Sequence, residues 1–333
     1  MNILLSFAGD KTDMVEYFKK AVGNTGKVFA NDYALKYALT QADGYFIISH
    51  ECNNDYISVL TDYCKKNNIS AIIPLSDFDL PVLSKNKQKL KSIGITATVS
   101  DEEAVEICID RWKTYLFLKS INVNHPKSYI DLESVKKDIN EKTLTFPLIM
   151  KPRIASKKFM EIYIETLEEL ELFYRKLKQN ISKTSNFNED KNIIIQENIS
   201  GDEYAICLLN DLQGNFVTAV SLKKLQASNI KTYIAPIVDN KPFENLLKLF
   251  SSELKFISCI EINLCLNQAE DIIVTEINAR FGKDYTFWQF AGTDFPKQIV
   301  DWLTGKPVSL ENIYPVIGVK GSKDGVLPVI FNC

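Results

Sequence analysis

Ile272-Ile273-Val274-Thr275-Glu276-Ile277-Asn278-Ala279-Arg280-Phe281-Gly282 opens as a β-branched run and then turns polar at every second position. Such a run reads as a buried strand. A strand sends alternate side chains to opposite faces, so Glu276, Asn278 and Arg280 point the same way, and Ile273, Val274 and Ile277 are left to hold the strand in a core. A carboxylate, an amide oxygen and a guanidinium on one face suit a Mg²⁺ ion shared with phosphate oxygens. The guanidinium adds a planar fork for a phosphate or carboxylate. A strand end with an internal Glu–Arg pair facing solvent fits the same residues, and the rest of the chain has to decide between the two.

At 333 residues the chain is long enough for two or three domains. Its 46% hydrophobic and 24% charged residues are those of a globular protein. A formal net charge of -3 leaves no basic surplus for nucleic acid. No apolar run reaches membrane-spanning length and the first residues show no signal pattern, so no membrane partner is expected. The seven cysteines are scattered without a C-x-x-C pair, which predicts reduced thiols and a cytoplasmic setting. With only His50 and His125, both read as structural, a His-based metal site or triad lacks material.

Residues 1 to about 100 alternate strand and helix, which predicts a doubly wound parallel sheet. Ser6–Asp10 and Ser76–Asp79 fall at the carboxyl ends of its strands, where such sheets bind ligands. There is no G-x-G-x-x-G, so a dinucleotide site is not expected. Asp77 and Asp79 are read first as caps of the following helix. Ser100 with Glu103 predicts a capping box, and Thr166 a cap for a helix over 167–178. Asp110 opens a helix whose start carries Arg111 and Lys113, cations that oppose the dipole and fit anion binding there. Phe146–Pro152 is an apolar strand ending in Lys151, followed by a basic tip from Arg153 to Phe159. Residues 176–192 read as a polar loop. Asn192–Glu197 is an apolar strand running into the polar pair Gln196-Glu197. In residues 257–266 one face is apolar and the other carries Glu261, Asn263 and Cys265. Tyr285, Phe287, Trp288 and Phe290 read as core rather than ligand-stacking rings. Residues 306–333 read as a loop-rich tail with one hairpin.

Taken in order, NILLSFAGDKTDMVEYFKKA, IIPLSDFDLPVL, IDRWKTYLFLKSINV, FPLIMKP, IIIQENISGDEYAI and VTEINARFG resemble the ATP-grasp superfamily, and within it stand-alone proteins similar to one carbamoyl-phosphate-synthase large-subunit unit. The resemblance runs to about residue 305. It implies an α/β pre-ATP-grasp domain with a doubly wound parallel sheet over 1–100, then an α+β, two-lobed ATP-grasp domain over 101–305. The small lobe spans about 126–195, the large lobe about 196–305, and the tail 306–333. It further implies ATP and Mg²⁺ as cofactors. Gln196, Glu197, Asn198 and Ile199 would read the adenine, and Glu203 would accept from the ribose hydroxyls. Lys151 and Arg111 would face the phosphates, Glu276 and Asn278 would hold the metal, and Arg280 would stabilise the transferred phosphoryl group or acyl phosphate. The implied activity is an ADP-forming ligation of a small carboxylate to an amine, with no nucleic acid or membrane partner. A homodimer is compatible with it. A catalytically silent nucleotide-binding protein that acts through a partner is the alternative.

The chain departs from the family pattern around the phosphates and metal. The tip after Lys151 has no glycine, so Lys157 or Lys158 would replace backbone dipoles with charge. The family's first metal ligand falls near Cys265, a poor Mg²⁺ donor, for which Glu261 or Asn263 could compensate. The basic strand after the hinge is reduced to Lys223 and Lys224, Ser228-Asn229 replaces a Gly-Glu, and Lys283-Asp284 follows Gly282.

Overall fold

The structure is a computed structural model that describes residues 1–48, 55–154, 161–182, 192–227, 232–324 and 327–331. His50, the tip residues Lys157 and Lys158, most of the polar loop over 176–192, and Ser228-Asn229 lie outside the described residues. The chain divides into two compact units: one of Met1–Val105, Ala205–Ile262 and Asn278–Cys333, the other of Glu106–Tyr204 and Asn263–Ile277.

In the first unit, β1 (Asn2–Ser6), β2 (Val28–Asp32), β3 (Gly44–Ile47), β4 (Ile69–Pro74) and β5 (Thr96–Ala97) form a sheet of order β3-β2-β1-β4-β5. Every pairing in it is parallel, as the alternation predicts. Ile3, Leu4 and Leu5 are wholly buried, the signature of a strand covered on both faces. The helix Thr12–Val22 buries Met14, Val15, Phe18 and Val22, the set marked by helical spacing. The chain builds outward from β1 through β2 to β3, then returns to the other side of β1 as β4. The switch point therefore lies between β1 and β4.

The second unit carries β6 (Ser128–Tyr129), β7 (Leu148–Pro152), β8 (Ile162–Ile164) and β9 (Ile193–Glu197) in the antiparallel order β6-β9-β7-β8. The helices Leu132–Asn140 and Leu167–Ser182 contribute Val135, Leu170 and Leu177 to the core under this sheet. Thr166 caps the latter helix as expected, accepting from Glu169 N–H at 3.2 Å. The remaining strands are β10 (Asp202–Asn210), β11 (Phe216–Lys223), β12 (Gln226–Ala227), β13 (Thr232–Val238), β14 (Ser258–Leu266), β15 (Ile272–Asn278), β16 (Lys320–Asp324) and β17 (Leu327–Phe331). Within the first unit the order is β14-β10-β11-β13-β16-β17, and in the second the remainder of β14 neighbours β15. The tail is thus more than the loop expected: its hairpin extends a sheet, β16 pairing with β13. Tyr285, Phe287 and Trp288 are core, as read from sequence, while Phe290 stays 38% exposed.

Two capping expectations are corrected. Ser100 Oγ accepts from Ile257 N–H at 3.2 Å, a partner 157 residues away in sequence, and no cap bond from it is seen among the described residues. Asp79 occupies the N-cap position of Leu80–Lys85 without a side-chain cap bond. Its carboxylate accepts instead from Tyr56 Oη at 3.0 Å inside the sheet domain. Burial, ahead of every other influence, pushes the Asp79 carboxyl up to about 7. An acid whose folded pKa lies above its unfolded value favours folding at low pH. That contribution fades between about pH 4 and 7 and is gone above, a swing of roughly 4 kcal/mol. Asp79→Asn is therefore expected to melt higher than wild type at pH 8 and to lose that part of the pH dependence, read by thermal melts at pH 5 and pH 8.

Candidate active site

In the second unit the site begins at the start of the helix Arg111–Ser120. Asp110 caps it, accepting from Trp112 N–H at 3.0 Å and from Lys113 N–H at 3.4 Å. The same carboxylate takes Arg153 in a fork, with Nε and Nη2 each at 2.7 Å. Sequence reading placed Arg153 at the start of a basic tip, whereas its side chain is committed to Asp110. A backbone bond from Arg111 N–H to Arg153 O at 3.1 Å completes the stitch between this helix and the end of β7. Held there, Arg111 donates through Nη1 to Pro152 O at 2.9 Å and brings Nη2 to 3.8 Å from Glu276 Oε1. Asn263 Nδ2 donates to the other Glu276 oxygen at 3.3 Å. Lys151, 9% exposed, donates to Glu161 Oε1 at 2.8 Å. Lys151, Arg111, Glu276 and Asn263 thus gather in one unit, the lysine's neighbour Pro152 linked by one hydrogen bond to the arginine that faces Glu276.

Cys265 does not join them. It is 3% exposed, its thiol is raised by burial, and its Sγ lies against Gly201. On β14 it is Asn263 that sits beside the acid of β15. At Gly201 a Cβ would lie 2.2 Å from Leu266 O, closer than any relaxed contact allows. Gly201→Ala is expected to cost roughly 2 kcal/mol or more and lower the melting temperature by about 4 °C or more.

The expected adenine segment sits at the end of β9. Gln196 is buried and donates through Nε2 to Ser128 Oγ at 2.8 Å, and Glu197 Oε2 accepts from Lys127 N–H at 3.3 Å. Glu197, Asn198 and Ile199 line an open pocket of about 820 Å³ together with Lys119, His125 and Ile273. Strand alternation sets Ile273 on the face of β15 opposite Glu276, so this pocket and the acid use different faces. Glu203, at the start of β10, is exposed.

In the first unit a second cluster forms at the sheet's switch point. Arg280 Nη2 pairs with Asp77 at 2.6 Å and reaches Asn278 Oδ1 at 3.3 Å, while Nη1 donates to Phe281 O at 3.1 Å. Asp77 is thus an ion-pair partner rather than the cap expected. Gly282 explains itself here: a Cβ on it would fall 1.5 Å from Glu261 Oε2, so the buried Glu261 carboxylate lies directly over the glycine. Sequence reading missed Lys11, whose Nζ donates to Phe281 O at 2.9 Å, and the pairing of Asp77 with Arg280. The position of Asp77 at a strand end was its one signal.

Comparison with known families matches residues 3–98 to the PylC-like N-terminal domain and residues 144–287 to the ATP-grasp domain. Comparison with curated proteins gave no match. Among solved structures, the biotin carboxylase domain of Hydrogenobacter thermophilus 2-oxoglutarate carboxylase, in complex with MgADP and bicarbonate, superposes with a TM-score of 0.74 at 14% identity, over 96% of this chain and 73% of that one. The L-amino acid ligase of Bacillus licheniformis gives 0.70 at 17% identity, over 96% and 79%. The N5-carboxyaminoimidazole ribonucleotide synthetase of Thermotoga maritima gives 0.69 at 15%, again over 96% and 79%. These likenesses establish the fold. Among the described residues no helix is long and apolar enough to cross a membrane. Residues 144–287 thus carry an ATP-grasp domain, and residues 3–98 a PylC-like N-terminal domain.

Proposed function

We propose that this protein is an ATP-dependent, ADP-forming ligase that joins a small carboxylate to an amine through an acyl phosphate. The observation that supports it most is the gathering of Lys151, Arg111, Glu276 and Asn263 in one unit, three of them inside the stretch matched to the ATP-grasp domain. Glu276, Asn278 and Asn263 offer a carboxylate and two amide groups, a hard oxygen set that fits Mg²⁺ when substrate phosphates complete the shell. A metal bound there neutralises the outer phosphates of ATP. Lys151 exchanges its Glu161 partner for the inner phosphates, and Arg111 steadies them from the helix start. Backbone groups of Asn198 and Ile199 read the base, with Gln196 and Glu197 shaping the approach and Glu203 accepting from the ribose. Arg280 balances the charge that develops on the transferred phosphoryl group. Phosphoryl transfer asks a protein mainly for positioning and charge, and no protein nucleophile is required.

Residues 1–100 serve in this reading as the pre-ATP-grasp domain, 101–305 as the ATP-grasp domain and 306–333 as a tail. ATP consumption and the scattered free thiols suit a cytoplasmic setting. A silent nucleotide-binding protein is the second reading, favoured by the amide of Asn263 at a position where another carboxylate would bind metal more strongly. A screen of the twenty amino acids and small carboxylates for stimulated ADP release tests the pair. Release that needs both an acid and an amine supports the ligase, whereas ATP binding that is indifferent to Mg²⁺ and to every acid supports the silent protein.

A further inference from the structure

Lys11 takes no part in the reading above, yet it lies beside one of its residues. It follows β1 at the sheet's switch point, and Asp77 follows β4 across the same point. Open parallel sheets bind their ligands outside the strand ends at this place. Lys11 Nζ donates to Phe281 O at 2.9 Å, and Arg280 Nη1 donates to that same oxygen at 3.1 Å. Laid end to end those bonds span about 6 Å, so the two cationic heads can be no farther apart. Arg280 has Asp77 as its ion-pair partner, while among the described residues no carboxylate comes within ion-pairing distance of Lys11. Lys11 is half-buried, and Asp77, Asp13 and Glu261 act on it only from beyond that distance, so the cation beside it and its partial loss of water both weigh against the charged form.

We propose that Lys11 and Arg280 together grip the carboxylate of the acid substrate, with Lys11 supplying the charge that selects for it. The proposal rests on the ligase reading for the identity of that acid, but not for the binding itself. A carboxylate has two oxygens and suits two donors converging from different elements. Burial first, and then Arg280, push the Lys11 ammonium down to about 7, against the opposing pull of Asp77, Asp13 and Glu261. An anion held between the two cations favours the protonated lysine. Its affinity should therefore be full below pH 7 and fall tenfold per pH unit above it.

The grip predicts a split that a purely structural lysine would not produce. For the acid giving the strongest ADP release from a pool of the twenty amino acids, wild-type KM is expected to rise above pH 7 while kcat stays level. Lys11→Arg, always charged, keeps the low KM and flattens its pH profile. Lys11→Met raises KM about 30-fold below pH 7, a gap that closes as the pH rises above 7 and wild type loses its charge, and leaves the KM for ATP unchanged. A flat wild-type KM, or a kcat that falls below pH 7 as a general base requires, overturns the proposal. Binding is read separately by labelling Lys11 with acetic anhydride in the presence and absence of the amino-acid pool. Protection without ADP release sinks the ligase reading and keeps the grip. ADP release without protection does the reverse, and neither one refutes both.

Discussion

Glu276→Gln is expected to lose metal-dependent ATP turnover by roughly a hundred- to a thousandfold, the scale on which removal of one charge-stabilising group acts. The substitution keeps the shape of the side chain and its contact with Asn263 Nδ2, now through an amide oxygen. It removes the carboxylate offered to a divalent ion and the charge facing Arg111. That ion pair is long and its acid is 40% exposed, so it contributes little to stability. Circular dichroism and the melting temperature should stay as in wild type. Wild-type turnover in the variant would remove Glu276 from the metal site.

Arg153→Met carries the largest expected effect on stability. The side chain it deletes makes both 2.7 Å bonds to Asp110, and Asp110 is 6% exposed. Breaking a buried pair from one side leaves an uncompensated charge, at a cost of about 3–5 kcal/mol. A fall in melting temperature of about 10 °C follows. Hydrogen exchange should quicken first in the helix Arg111–Ser120, whose start Asp110 caps. Arg153→Lys should recover only part of the loss, because an ammonium cannot reproduce the planar fork. A change under 2 °C in Arg153→Met would show that Asp110 is solvated well enough to do without its partner.

The pair Asp110–Arg153 also shows where sequence reading stopped. Strands with period-2 polarity, helices with capped starts and the alternation of residues 1–100 are local signals, and the fold followed from them and from a family's motifs in order. Thr166 capped as expected because its partner is three residues away. Ser100, Asp79 and Asp77 were misread because each found a partner far along the chain: Ile257, Tyr56 and Arg280. A short polar side chain at a helix start looks the same in sequence whether it caps or pairs elsewhere. Asn263 and Cys265 posed the same problem on one strand face. Only the contact across to Glu276 and the packing of Sγ on Gly201 separate them. The tail's role as added strands depended on pairing with β13, more than eighty residues away in sequence.

The most direct test of the account is the position of a divalent ion. Crystals grown with Mn²⁺ and a non-hydrolysable ATP analogue give an anomalous signal that locates the metal without reference to the surrounding side chains. The account predicts a peak about 2 Å from the Glu276 carboxylate, with the analogue's phosphates between it and Lys151. A peak elsewhere, or an analogue bound with its phosphates turned away from Lys151 and Arg111, would contradict it.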